Sequence, residues 1–168
     1  MQNTQAQTQC KQKEFQFQGL GSKKVVADFS GGHLSSDGGT LLLRELDGVL
    51  GLSTKLSRCF TDVRNRRWVQ HELPALIAQR IHGIALGYED INDHERLRLD
   101  PLFAASCGRA DLLGDERFGK DVGKPLAGKS TLNRLELGAY ESDGHYRKIQ
   151  GDKHNIEKLM VANGGKAI

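Results

Sequence analysis

Cysteine is scarce in this sequence, and the three that occur, Cys10, Cys59 and Cys107, lie far apart. An odd number without C-x-x-C spacing excludes a disulfide framework and offers no zinc pattern, so reduced thiols are expected. Long apolar runs are missing too, for nothing approaches the roughly eighteen apolar residues that a membrane-spanning helix needs. The stretch from Met1 to Gln18 is polar and rich in glutamine, without the apolar centre of a secretory signal. These absences predict a cytoplasmic protein with no membrane partner. No internal repeat is visible. A strong excess of one charge is also lacking: a formal net charge of +3 permits nucleic-acid binding without demanding it, because distribution matters more than the sum.

What is present is the composition of an ordinary globular domain. With 168 residues, 38% of them hydrophobic and 27% charged, the chain can form one real core. Met1 to Lys13 mixes Gln, Thr and Lys and cannot bury enough surface to offset chain entropy, so residues 1–14 are expected to be a flexible polar tail. Phe15-Gln16-Phe17-Gln18 alternates with period two, and Lys24 to Phe29 is β-branched at its centre. Around Gly19, Gly21 and Ser22 these two runs predict a short hairpin. The turn residues Ser30 to Gly39 follow, with Ser36 or Asp37 as the expected cap of a helix that starts near Thr40 and carries Leu41, Leu42, Leu43, Leu46 and Val49. Leu52 to Phe60 reads as a second, shorter helix.

Leu73, Leu76, Ile77, Ile81 and Ile84 recur at helical steps and predict a core helix beginning at Glu72 or Leu73, with Pro74 in its first turn and Gln79, Arg80 and His82 off the apolar stripe. Glu89 to Leu99 reads as a charged helix ended by Asp100-Pro101, and Leu102 to Cys107 as a further turn or two. Gly108 to Lys129 is expected to be irregular. Helices are expected again over Ser130 to Leu137 and Asp152 to Ala162, separated by a break at Ser142-Asp143-Gly144. The fold class that follows is α+β, a mainly helical module with a short N-terminal β-hairpin.

Three constellations bear on chemistry. Gly123 to Ser130 fits the phosphate-loop pattern of Gly, four residues and Gly-Lys-Ser, in which backbone N–H groups and the lysine cradle nucleotide phosphates. It suggests a small nucleotide-binding module. Against it, Arg117 to Val122 is too polar for the buried strand that such a loop needs, and a loop with a serine helix cap explains the same residues. Lys55, Arg58, Arg64, Arg66 and Arg67, with Trp68 beside them, form the densest basic cluster, able to neutralise phosphates and release counterions, or else to be a solvated connection. Arg80, Lys129 and Arg134 are weaker candidates of the same kind. Glu89, Asp90, Asp93, His94 and Glu95 crowd one stretch that suits either a metal or a capped, solvated helix, whereas His33, His71 and His82 stand isolated. Asp28, at a strand end, has no carboxylate partners that the sequence assigns, and Asp37 reads as a cap.

Four separated segments can then be taken together: Leu34 to Asp47, Gly87 to His94, Leu97 to Pro101 and Leu126 to Glu136. In this order and spacing they resemble the N-terminal region of a group of bacterial insertion-sequence DDE transposases. The resemblance spans roughly Phe15 to Met160, giving residues 15–162 as the family region and 163–168 as a non-family end. It places Ala127-Gly128-Lys129-Ser130-Thr131-Leu132 inside the transposase pattern, so the phosphate-loop reading becomes the alternative. It implies the leading part of a ribonuclease-H-like enzyme whose three carboxylates hold Mg2+ for attack on a phosphodiester, with transposon-end DNA and another transposase subunit as partners. The first catalytic aspartate is expected on an apolar strand after the segment resembling Tyr146 to Met160, where this chain instead reads Asn163 to Ile168. No catalytic residue and no cofactor is therefore assigned to this chain, which is expected to be truncated or frameshifted and to bind DNA without cleaving it. A further alternative is an inactive remnant, aggregating if the stripe of Leu73, Leu76, Ile77, Ile81 and Ile84 is left bare.

Overall fold

The computed structural model describes residues 14–28, 37–140 and 148–164. The expected tail up to Lys13, the turn residues through Ser36 including His33, Cys10 and the break at Ser142 to Gly144 lie outside them, while Glu14, expected in the tail, belongs to the first strand. Two antiparallel strands open the fold, β1 (Glu14–Leu20) and β2 (Lys23–Asp28), paired from Glu14 opposite Asp28 to Leu20 opposite Lys23. Gly21 turns the hairpin at φ 57°, a backbone conformation that carries no penalty without a Cβ. Leu20, with Phe17 and Val25, then packs on Leu41 and Ala105.

Next come α1 (Thr40–Leu50), α2 (Leu52–Ser57), the short strand β3 (Phe60–Asp62) and α3 (Leu73–Ala85). Arg44 on α1 grips the hairpin through the Gln18 carbonyl at 2.5 Å and the Gly19 carbonyl at 2.8 Å. Helix α3 is the axis of the molecule. Leu73, Leu76 and Ile77 on one side meet Ala127, Leu132, Leu135 and Ile149, while Ala78 on another side meets Leu97, Phe103, Ala104, Cys107 and Leu126. These partners come from α4 (His94–Leu97), α5 (Pro101–Ser106), α6 (Lys129–Tyr140), β4 (Ile149–Gly151) and the loop before α6; α7 (Lys153–Gly164) closes the described chain. Strand β4 pairs antiparallel with β3, Asp62 opposite Ile149. The architecture is α+β and mostly helical, and both sheets are two-stranded. No helix among the described residues is long and apolar enough to cross a membrane.

Most predicted elements are found, with Pro74 in the first turn of α3 as expected. Several details differ for physical reasons. The helix after Gly51 stops at Ser57 because Phe60 pairs into β3. The stretch from Glu89 to Leu99 is a 3-10 turn at Ile91–Asp93 followed by the single turn of α4, since Asp90 accepts the backbone N–H of Asn92 and starts a new cap. Asp37 is no side-chain cap: Gly39 is the N-cap residue of α1, and the Asp37 carboxylate accepts from the Tyr88 hydroxyl instead. Leu73, Leu76 and Ile77 of the apolar stripe of α3 are covered from within the chain by α6 and β4 and Ile81 is partly buried there, whereas Ile84 is exposed, as are Leu42, Leu46 and Val49 on α1.

Gln79 and His82 do not lie on a solvated face of α3, for both are buried. A helix packed on several sides has little face left for water, so its polar residues need partners. Gln79 finds them. Its amide donates to the Ala127 carbonyl at 2.8 Å, accepts the Ala127 N–H at 3.0 Å, and touches His94 Nδ1 at 3.2 Å. His94, His82 and His71 are all buried, and burial is the leading cause that lowers their basicity, to about 4 for His94 and His71. Each then binds its proton more weakly folded than unfolded. Stability from these rings is full above about pH 6.5, the unfolded value, and drains away as pH falls toward about 4. Urea midpoints should thus fall between pH 7 and pH 4.5, and a His94→Gln variant should flatten that slope; a slope unchanged in the variant would exclude His94 as its source.

Candidate functional site

The densest basic stretch of the sequence is shaped by its own short-range hydrogen bonds. The Asp62 carboxylate accepts the backbone N–H of Arg64 at 3.0 Å and its guanidinium at 2.8 and 2.6 Å, folding the chain back after β3. This hydrogen bond from Arg64 is the main cause that holds Asp62 below the usual carboxylate range. Asn65 accepts the N–H of Arg67 at 3.1 Å and caps a 3-10 turn over Arg66–Trp68. Arg66, Arg67 and Trp68 are left in solvent, Trp68 being 72% exposed.

Tertiary contacts complete the site. The β3–β4 ladder continues into a hydrogen bond from the Val63 N–H to the Lys148 carbonyl at 2.8 Å, which sets Lys148 near Arg64. Helix α6 contributes Thr131 and Arg134, three residues apart and so on one face. Between these walls lies a cleft of about 400 Å³, lined by Arg64, Asn65, Trp68, Gln70, His71, Asp121, Thr131, Arg134, Lys148 and their apolar neighbours. Arg134 and Lys148 are exposed and have no ion-pair partner among the described residues. The one acid in the lining, Asp121, is already held by Arg98 at 2.7 Å and by the Gln70 amide at 3.3 Å.

The irregular stretch from Gly108 to Lys129 supplies the remaining support. Its Arg117 donates to the carbonyls of Gln70 and Pro125, and Gln70 in turn accepts the Phe118 N–H at 3.2 Å. The stretch lacks regular structure but is stapled to the cleft. Phe118 thereby comes edge-on to Trp68, ring centres 6.4 Å apart. A second cavity of similar size mixes Arg44 and Arg109 with Asp47 and Glu72, so charge of one sign does not build up there.

The sequence candidates separate accordingly. Arg64, Trp68 and Arg134 line the cleft, and Arg66 and Arg67 lie on the turn that carries Trp68. Lys55, on α2, donates to the Leu50 carbonyl, and Arg58 follows that helix; neither lines the cleft. Arg80 is spent on Glu136 and on the carbonyls of Tyr88 and Glu89. Lys129 reaches Asn92 Oδ1 at 3.3 Å. Lys148, His71 and Thr131 are lining residues that charge clustering did not single out. Only knowledge of the β3–β4 pairing would have found Lys148.

The phosphate-loop pattern is already occupied by the fold. The N–H groups of Gly123, Lys124, Leu126 and Ala127 go to Gly114, Asp121, Arg98 and Gln79, and Lys129 gives its N–H to Glu95 Oε1 at 2.8 Å. Pro125 to Gly128 are buried, and the polar run before them forms only a 3-10 turn at Gly119–Asp121. No cradle remains for a phosphate. In the acidic stretch, His94 is a core residue packed under Gly83 and beside Phe103, and no group of three His, Cys, Asp or Glu among the described residues converges on a metal position. Asp28 ends β2 opposite Glu14, and Cys59 and Cys107 are free thiols.

Comparison with known proteins adds one positive result. A family model, Transposase DDE domain group 1, matches residues 17–163. No curated protein and no solved structure matches the chain.

Proposed function

This chain belongs to the DDE transposase family, whose members act on DNA, and from that premise we propose that the cleft between Trp68, Arg134 and Lys148 is where it holds the DNA backbone. The observation that carries this reading is the convergence of unpaired cations from α6 and from the start of β4 on an arginine-rich turn. Phosphates neutralised there release condensed counterions, the main source of sequence-independent affinity for a duplex. Arg66 and Arg67 extend the positive surface along the same turn, and Thr131 and Asn65 add neutral polar groups within the cleft.

Holding DNA, and not cutting it, is the role we assign to this region. Transposases of this kind are expected to cut with Mg2+ bound by three carboxylates on a ribonuclease-H-like sheet. The acids near the cleft are poorly suited to binding such ions, because Asp62 is engaged by Arg64 and Asp121 by Arg98 and Gln70, and both sheets among the described residues are short antiparallel pairs. No hydrolytic step is therefore derived from them.

A salt titration of binding to a labelled 20-base-pair duplex tests the reading. Affinity should fall linearly on a double-logarithmic plot, and Arg134→Ala should lower the slope by about one. Lys148→Ala should act alike, while Lys55→Ala should leave the slope unchanged. Equal effects of all three would remove the cleft from consideration, and Mg2+-dependent strand cleavage by the purified chain would overturn the assignment of roles.

A further inference from the structure

The cleft is too small to enclose a duplex, whose backbone alone it can meet, and it is furnished for more than backbone attraction. About 400 Å³ accommodates roughly one nucleotide. Trp68 lines it yet is 72% exposed, with Phe118 against it in an edge-on contact at 64°. An exposed indole beside a cationic groove is the arrangement on which unpaired bases stack, since every base has a π-face. Such a ring gains little from the fold itself.

A second observation points into the same space. His71 also lines the cleft, is only 7% exposed, and makes no hydrogen bond among the described residues. Its ring nitrogens are not among the sealed, partnerless polar atoms of the described residues, so they open onto the cleft and can be met by a group that enters it. A neutral imidazole offers one donor and one acceptor, the complement of a base edge. Arg134 and Lys148 then stand at hand for the flanking phosphates.

We propose that the cleft takes one unpaired nucleotide of the bound DNA, its base stacked on Trp68 and its edge hydrogen-bonded to His71. This rests on the cleft being the DNA site. It assigns the aromatic and the histidine to selection of an unpaired nucleotide, and the arginines and lysine to backbone attraction that any duplex shares.

Trp68 is the sole tryptophan in the chain, so intrinsic fluorescence reports on this ring alone. The full chain is titrated with a blunt 20-base-pair duplex and with the same duplex bearing a five-thymidine tail, and binding is followed separately by anisotropy of a label on the DNA. The tailed duplex should quench Trp68 emission and bind about tenfold more tightly than the blunt one. Trp68→Ala and His71→Ala should each weaken the tailed duplex several-fold more than the blunt one, erasing most of that preference, and Trp68→Phe should keep part of it. Matching thermal melting curves would show that the variants fold. Unchanged emission on the tailed duplex, or a Trp68→Ala loss equal on both DNAs, would overturn the proposal. Failure of either DNA to bind would instead sink the cleft reading on which it stands.

Discussion

Replacing Gln79 with leucine should cost the fold about 2–5 kcal/mol, a large part of the stability of a domain this size. Leucine matches the volume roughly but supplies neither donor nor acceptor. The Ala127 N–H and carbonyl, in a residue with no exposed surface, would both lose their partner, and His94 Nδ1 would lose its contact as well. Each buried group left unsatisfied costs about 1–3 kcal/mol, more than the bond itself contributes net. The consequence reaches the cleft, because Ala127 lies just before α6 and α6 carries Thr131 and Arg134. Guanidinium unfolding together with DNA affinity checks the prediction. A stability loss below about 1 kcal/mol would mean that water replaces the amide and that this link between α3 and the α6 loop is dispensable.

Reversing charge at both cleft cations, Arg134→Glu with Lys148→Glu, should abolish measurable duplex binding at physiological salt. Two phosphate contacts are lost and two repulsions are gained, so the change in affinity should exceed that of the alanine pair by an order of magnitude or more. Both side chains are exposed and without ion-pair partners among the described residues, so folding should survive. Recovery of binding when salt is lowered, with a smaller slope than wild type, would confirm an electrostatic origin. Undiminished binding by the double variant would place the DNA elsewhere, with Arg66, Arg67, Lys55 and Arg58 as the next surface to alter.

Much of the fold was legible in the order of residues. The spacing of Leu73, Leu76 and Ile77 located α3, Pro74 marked its first turn, and alternation around Gly21 gave the hairpin. Four motifs read together pointed to the family that the match over residues 17–163 establishes. The site was only half readable. Charge density singled out Arg64 to Arg67, yet it ranked Arg80 and Lys129 beside Arg134, although Arg80 is consumed by Glu136 and two carbonyls. Charge in a sequence records what a residue carries and not what neutralises it. The same blindness made Gly123 to Ser130 look like a phosphate cradle, because whether an N–H is free depends on residues such as Gln79, Arg98 and Glu95 that lie far away in the chain.

Local order was determined by the sequence alone: helical periodicity, proline placement and turn glycines act within a few residues, so their energies can be read in place. Tertiary structure alone decided which polar groups are spent and which remain available. The pairing of β3 with β4 brought Lys148 to Arg64, the packing of α3 on several faces turned Gln79 and His82 inward, and the staple through Arg117 set Phe118 beside Trp68. These outcomes depend on contacts between remote segments, where desolvation and hydrogen bonding compete for the same groups, and no local pattern encodes the result.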